Sequence, residues 1–203
     1  VKQITVLGST GTIGLNTLAV IEANPNLYEV FALSANTNIV SLEQQCRVFR
    51  PKYAVLREKS IALELAARIS DLSTVVLGGE ESLCDVASHS EVDIVMAAIV
   101  GAAGLKPTLE AVRTGGRVLL ANKEALVMSG SLFISEVNNY STTLLPIDSE
   151  HNAIYQCLAN GAKNHCSGVE RLILTGSGGP FLRLDKHNMG SVTPRDACAH
   201  TNW

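Results

Sequence analysis

Apolar residues recur along the first part of the chain in short, nearly unbroken runs. They include Ile4-Thr5-Val6-Leu7, Val30-Phe31-Ala32-Leu33, Ile94-Val95-Met96-Ala97, Val118-Leu119-Leu120-Ala121 and Thr143-Leu144-Leu145-Pro146, with shorter ones at 53–56 and 74–77. A strand with one wet face alternates apolar and polar side chains. Runs without that alternation predict strands covered on both faces, hence a mostly parallel sheet between layers of helix. Between the runs, the spacing predicts helices over 14–24, 40–49, 60–69 and 107–113, the first stopped before Pro25 and the second ended by Pro51. Strand and helix therefore alternate, which predicts an α/β, Rossmann-like, doubly wound domain.

The rhythm changes after Asp148. A helix is expected over 150–158, then a polar stretch over 160–167, then a strand over 169–174 that runs into Thr175-Gly176-Ser177-Gly178-Gly179-Pro180. Beyond that turn the chain reads as irregular and polar. The organisation expected is a dinucleotide-binding domain over 1–147 and the beginning of a second, α+β catalytic domain over 148–203. The chain closes on Thr201-Asn202-Trp203 without a polar tail or a capped element, which reads as a fragment of a longer polypeptide.

Composition narrows the class. Of 203 residues, 46% are hydrophobic, enough for a substantial core, and a mean hydropathy of +0.20 argues against disorder. Net charge is −3 with 17% charged residues and no basic block, so a nucleic-acid partner is not expected. The apolar runs are broken by glycine or charge, so no membrane span is expected, and a strand pattern at residue 1 leaves no signal or transit peptide. Cys46, Cys84, Cys157, Cys166 and Cys198 form no C-x-x-C pair, which predicts free thiols in a reducing cytoplasm.

The candidate chemistry starts at Gly8-Ser9-Thr10-Gly11-Thr12-Ile13-Gly14, between the first strand and the first helix. Glycines there let the backbone turn tightly and approach a pyrophosphate, whose charge meets amides at the helix N-terminus. The second strand ends in Ser34-Ala35-Asn36-Thr37-Asn38, with no acid to grip a ribose hydroxyl or repel a 2′-phosphate, which favours NADPH over NADH. The small residues of 97–104 would let a cofactor lie flat, or would simply pack tightly. Asn122-Lys123-Glu124 follows another strand; Lys123 either holds an anionic substrate or starts a solvated helix, where Glu124 suits the positive end of the dipole. Asp148 and Glu150 are spaced to bind one hard cation, magnesium or manganese rather than zinc, or else to begin a helix. His151 beside them is more often structural than chemical. The glycine turn around Ser177 suits a phosphate or a hinge, and the polar segment with His200 and Trp203 reads as a flexible lid.

Together with Met96-Ala97-Ala98-Ile99-Val100-Gly101-Ala102-Ala103-Gly104, Pro146-Ile147-Asp148-Ser149-Glu150-His151-Asn152 and Leu174-Thr175-Gly176-Ser177-Gly178-Gly179-Pro180-Phe181, these motifs closely resemble those of the 1-deoxy-D-xylulose 5-phosphate reductoisomerases. The resemblance spans the chain. It implies an NADPH-dependent enzyme that uses a divalent cation (Mg2+ or Mn2+, with Co2+ a further option) on a small phosphorylated sugar substrate. The product would be 2-C-methyl-D-erythritol 4-phosphate, the committed step of the non-mevalonate isoprenoid pathway. By the same resemblance Gly8, Thr10, Gly11, Thr12 and Ile13 cradle the cofactor phosphates, Asn36, Thr37 and Asn38 lie near its 2′-phosphate, and Asn122 and Glu124 contact it. Position 37 is often basic in the family, where this chain has Thr37. Lys123, Ser149, Glu150, Ser177 and His200 match substrate contacts, Trp203 the lid's indole, and Asp148 and Glu150 two metal ligands, Lys123 acting with them in catalysis. A third carboxylate ligand and more of the phosphate pocket are expected beyond residue 203, and the family suggests a homodimer. Two other readings stay open: an acyl-phosphate or semialdehyde dehydrogenase, which needs a reactive thiolate, and a nucleotide-sensing domain without turnover.

Overall fold

A computed structural model describes residues 1–158, 169–173 and 178–199. The chain divides into two compact units, Val1–Asp148 and Ser149–Trp203.

The first unit is a seven-stranded sheet in the order β4-β3-β2-β1-β5-β6-β7, with every adjacent pair parallel. Its strands are β1 (Lys2–Leu7), β2 (Tyr28–Ala35), β3 (Tyr53–Leu56), β4 (Val75–Gly78), β5 (Ile94–Ala97), β6 (Arg117–Leu120) and β7 (Thr143–Pro146). The unbroken apolar runs have the cause expected of them. Ile4 and Val6 of β1 pack against Leu18 and Ile21 of α1 (Thr12–Ala23), with Leu42 and Cys46 of α2 (Ile39–Phe49) and Leu65 of α3 (Lys59–Arg68) in the same cluster. Leu7 belongs to the opposite cluster, with Leu83 and Val86 of α4 (Glu80–Ala87), Val112 of α5 (Leu105–Arg113) and Phe133 of α6 (Lys123–Asn139). Each fully buried aliphatic side chain in these layers contributes about 1.5–3 kcal/mol, so polar substitutions on either face are costly.

The expected strands and four of the helices appear within a few residues of their predicted places. Two helices, α4 and α6, were not anticipated. In α6 the backbone at Ser129 leaves the helical region (φ −133°), so the apolar pattern on its two sides falls out of phase.

In the second unit, α7 (Ser149–Cys157) matches the expected helix. The strand expected over 169–174 is a correction: residues 169–173 have no regular secondary structure, and Leu172 and Ile173 are exposed. Apolar residues give strand propensity, but a strand exists only when a neighbour pairs with its backbone. The stretch expected to be irregular is also more ordered than predicted. It holds 3₁₀ turns at Gly179–Phe181 and Lys186–Ser191 and a short helix α8 (Pro194–Cys198). Thr193 and Asp196 close a reciprocal capping box on α8, and Pro194 stands in its first turn.

Candidate functional site

The glycine loop is built around two close approaches. Gly8 has φ +81°, and a Cβ on it would lie 2.8 Å from the Ala98 carbonyl oxygen. A Cβ on Gly14 would lie 2.4 Å from the Gly8 oxygen and 2.5 Å from Ser9 Cα, so α1 can start against the loop only with glycine there. Buried polar groups anchor the loop from below. The Ser34 hydroxyl accepts from Gly8 N at 2.9 Å and the Ser34 carbonyl accepts from Ser9 N at 2.8 Å. Ser9 Oγ donates to Gln45 Oε1 at 2.6 Å, and Gln45 Nε2 donates to the Ser9 carbonyl at 3.0 Å. The first bond into the Gly11 carbonyl comes from Leu15 N at 2.9 Å, so the amides of Thr12, Ile13 and Gly14 precede the helix ladder at its positive end.

Above the loop lies a cavity of about 270 Å³ at the carboxyl ends of β1, β2, β3 and β5. The sheet grows from β1 to β4 in one direction and from β5 to β7 in the other, so the cavity sits where the winding reverses, the usual ligand crevice of such sheets. Gly8, Thr10 and Gly11 form one wall, Ala98, Ile99, Val100 and Ala103 another, and Ser34, Ala35, Asn36 and Arg57 the end beyond β2.

The predicted residues divide as follows. Gly8, Thr10, Gly11 and Asn36 meet in the cavity. The side chain of Ile13 instead lines a separate apolar groove with Met96 and Leu145. Thr12 opens α1, and Thr37 is exposed, its carbonyl accepting from Ile39 N at 2.8 Å. Asn38 caps α2, its Oδ1 accepting from Ser41 N at 3.1 Å. Asn122 is buried and spans two loops: Oδ1 accepts from Ala125 N at 3.2 Å as the cap of α6, and Nδ2 donates to the Gly101 carbonyl at 3.1 Å. Glu124 occupies the first turn of α6. Lys123 Nζ pairs with Asp148 Oδ2 at 2.9 Å at the ends of the adjacent strands β6 and β7; the carboxylate is 13% exposed and the ammonium 53%. In the second unit Ser149 Oγ donates to Glu150 Oε2 at 2.8 Å in the first turn of α7. Ser177, His200 and Trp203 lie outside the described residues.

The two buried cysteines are poor nucleophiles. Burial pushes the Cys46 thiol up to about 12 and raises that of Cys84 as well, so neither supplies the thiolate that an acyl-enzyme dehydrogenase needs. Two groups, Gln45 beneath the glycine loop and Arg57 in the crevice, carry no motif in the sequence. Gln45 was detectable in principle, as a polar residue at a buried helical position beside Leu42 and Cys46. Arg57 had no such signal, because only the sheet order brings the end of β3 beside that of β2.

Comparison with known proteins agrees across the chain. Residues 4–130 match the family model of 1-deoxy-D-xylulose 5-phosphate reductoisomerase, and residues 144–203 match the model of that enzyme's C-terminal domain. The reductoisomerases of Saccharophagus degradans and Ectopseudomonas mendocina are 54% and 56% identical over the whole chain, which covers 52% of each. The chain thus spans about half the length of the curated relatives it matches. Among solved structures, a reductoisomerase from Zymomonas mobilis in complex with NADPH aligns over 98% of this chain and 52% of its own, at 44% identity and a TM-score of 0.85. A reductoisomerase in complex with NADPH, fosmidomycin and magnesium aligns over 100% and 52%, at 40% identity and a TM-score of 0.84.

Proposed function

The chain belongs to the 1-deoxy-D-xylulose 5-phosphate reductoisomerase family, and from that premise we propose that it supplies the cofactor domain and the opening of the catalytic domain of such an enzyme. Residues 1–147 bind NADPH, and 148–203 begin the part that holds metal and substrate. The reaction is the rearrangement and reduction of 1-deoxy-D-xylulose 5-phosphate to 2-C-methyl-D-erythritol 4-phosphate.

The observation that carries this reading is the glycine loop, whose close approaches at Gly8 and Gly14 leave the first-turn amides of α1 ahead of the helix ladder, next to Gly8, Thr10 and Gly11 of the crevice. A side chain on either glycine would strike backbone, the Ala98 carbonyl at Gly8 and the Gly8 carbonyl and Ser9 Cα at Gly14, and push the loop out of the shape that leaves those amides free, so the residues present fit a dinucleotide. Asn122 then acts by bracing the loops after β5 and β6, which form the wall beside the nicotinamide end. Lys123 orients the Asp148 carboxylate through their ion pair and presents a positive charge to an anionic substrate. Asp148 and Glu150 are oxygen ligands of the kind magnesium prefers, with manganese or cobalt as substitutes and a further ligand expected from the part of the relatives that this chain does not span. When bound, NADPH supplies the hydride, and the cation polarises the substrate carbonyl while its carbon skeleton rearranges. Ser149, Ser177 and His200 hold the substrate and Trp203 covers it. Homodimerisation follows from the family alone. Cytoplasmic residence agrees with the free thiols of Cys46, Cys84, Cys157 and Cys198.

The test uses Asp148→Asn and Glu150→Gln in the full-length polypeptide, with turnover followed against magnesium and NADPH affinity measured separately. Each variant should lose orders of magnitude in turnover and need more magnesium, while its NADPH affinity stays near wild type. Wild-type activity of both at limiting magnesium would reduce these carboxylates to helix-terminal residues and remove the metal assignment.

A further inference from the structure

The cofactor reading leaves one charged group without a task. Arg57 follows the last residue of β3 and, among the described residues, is the only charged side chain lining the crevice, with no acid beside it in that lining. It stands at the same end as Ser34, Ala35 and Asn36, the carboxyl end of β2, where doubly wound sheets receive the adenosine ribose. Three other arginines of this unit, Arg47, Arg68 and Arg113, are held by carboxylates at 2.5–3.2 Å. Arg57 makes no ion pair or hydrogen bond among the described residues. Its neighbour Lys59 does not compete for the cavity: the Lys59 stem runs over the Gly78–Gly79 turn, with its Cε 3.5 Å from where a Cβ on Gly79 would stand.

From this placement we infer that Arg57 is the specificity residue for the 2′-phosphate, the guanidinium that separates a 2′-phosphorylated dinucleotide from its unphosphorylated counterpart. The inference rests on the dinucleotide reading above and adds to it the cationic partner missing from the neutral segment 34–38. A planar guanidinium with parallel N–H donors matches a phosphate dianion, and Asn36 beside it offers an amide to the same group. Arg57 thus supplies the charge that segment 34–38 lacks. An arginine from the next strand serves as well as a lysine on the β2 loop, because the two strand ends are adjacent in the sheet.

The experiment titrates the full-length polypeptide with NADPH and NADH, and with adenosine 2′,5′-bisphosphate and 5′-ADP as probes that lack the nicotinamide. Arg57→Gln should weaken NADPH and the 2′-phosphorylated probe by about tenfold or more, with NADH and 5′-ADP within about twofold of wild type. Arg57→Lys should recover part of the loss, because it keeps the charge and gives up the fork. Lys59→Gln, two residues along, should leave the preference intact. Equal weakening of both nucleotides by Arg57→Gln, or the same loss in Lys59→Gln, would overturn the inference, as would a wild-type preference that Arg57→Gln leaves unchanged. A wild type that binds neither dinucleotide would bring down the cofactor reading first and this inference with it.

Discussion

Replacing Gln45 with leucine tests how the glycine loop is held. Gln45 is 7% exposed and makes two bonds to one residue, accepting from Ser9 Oγ at 2.6 Å and donating to the Ser9 carbonyl at 3.0 Å. Leucine keeps the bulk but supplies neither partner. The Ser9 hydroxyl retains the Ser34 carbonyl at 3.1 Å, so its loss is partial. The Ser9 carbonyl loses a donor in a site closed to water, and an orphaned buried acceptor costs about 1–3 kcal/mol. Added apolar burial offsets some of this, leaving a net destabilisation of roughly 1–2 kcal/mol. Thermal unfolding should show it as a fall of about 2–8 °C. The loop should also drift from its amide-forward position, so NADPH affinity should fall more than NADPH-independent structure does. Ser9→Ala should be less damaging, and the double variant should cost less than the two singles combined, because Gln45 and Ser9 act as one unit. Full additivity, or an unchanged Tm and NADPH affinity in Gln45→Leu, would refute this account of the loop.

Gly14→Ala drives a Cβ into two backbone atoms at 2.4 and 2.5 Å and should abolish NADPH binding while circular dichroism keeps its helical signal; Gly130→Ala, where nothing lies within 4 Å, should be neutral or stabilise by up to about 1 kcal/mol. Wild-type NADPH affinity in Gly14→Ala would show that α1 can shift and that the close approach is dispensable. Asp93 makes stability pH-dependent: Lys2 Nζ at 2.6 Å, then Gln3 N at 2.8 Å, hold its carboxyl below the ordinary range. A depressed folded pKa contributes stability that is complete above the unfolded value of about 3.9 and is lost as pH falls through the folded one. The difference in urea midpoint between wild type and Asp93→Asn should therefore hold near neutrality and shrink below about pH 4, and a difference constant down to pH 3 would contradict the assignment.

What the sequence disclosed follows from which signals are local. Strand runs were legible because both faces of the sheet are covered, so Ile4, Val6 and Leu7 are all apolar although they face opposite layers. The glycine loop was legible because Gly14 answers a close approach to Gly8 and Ser9 within the loop itself, although the contact that confines Gly8 is to Ala98, far along the chain. Helix α6 was hidden by the kink at Ser129 and by exposed Val127, Met128 and Leu132, which erase its amphipathic period. Residues 169–173 misled in the opposite way, with apolar residues that favour a strand and no regular secondary structure. Arg57 and Gln45 belong to a third class. Their significance lies in what the sheet sets beside them, Asn36 for one and Ser9 for the other, and no spacing along the chain encodes that.

The position of β1 also bears on how the protein is made. It precedes the other six strands of its sheet in the chain, yet it ends at the centre of the sheet, with Ile4 beside Ile94 on one side and Val30 on the other. Strands β1 to β4 can pair as they emerge, but the β5 side of β1 stays an open, unpaired edge until some ninety further residues have been added. At roughly 5–20 residues per second, that edge is exposed for several seconds, the interval in which a nascent sheet is most prone to pair with a neighbouring chain. The crevice has the same dependence, since its far wall follows β5. Synonymous codon changes that slow translation between β4 and β5 should therefore lower the soluble yield more than equal slowing after β6.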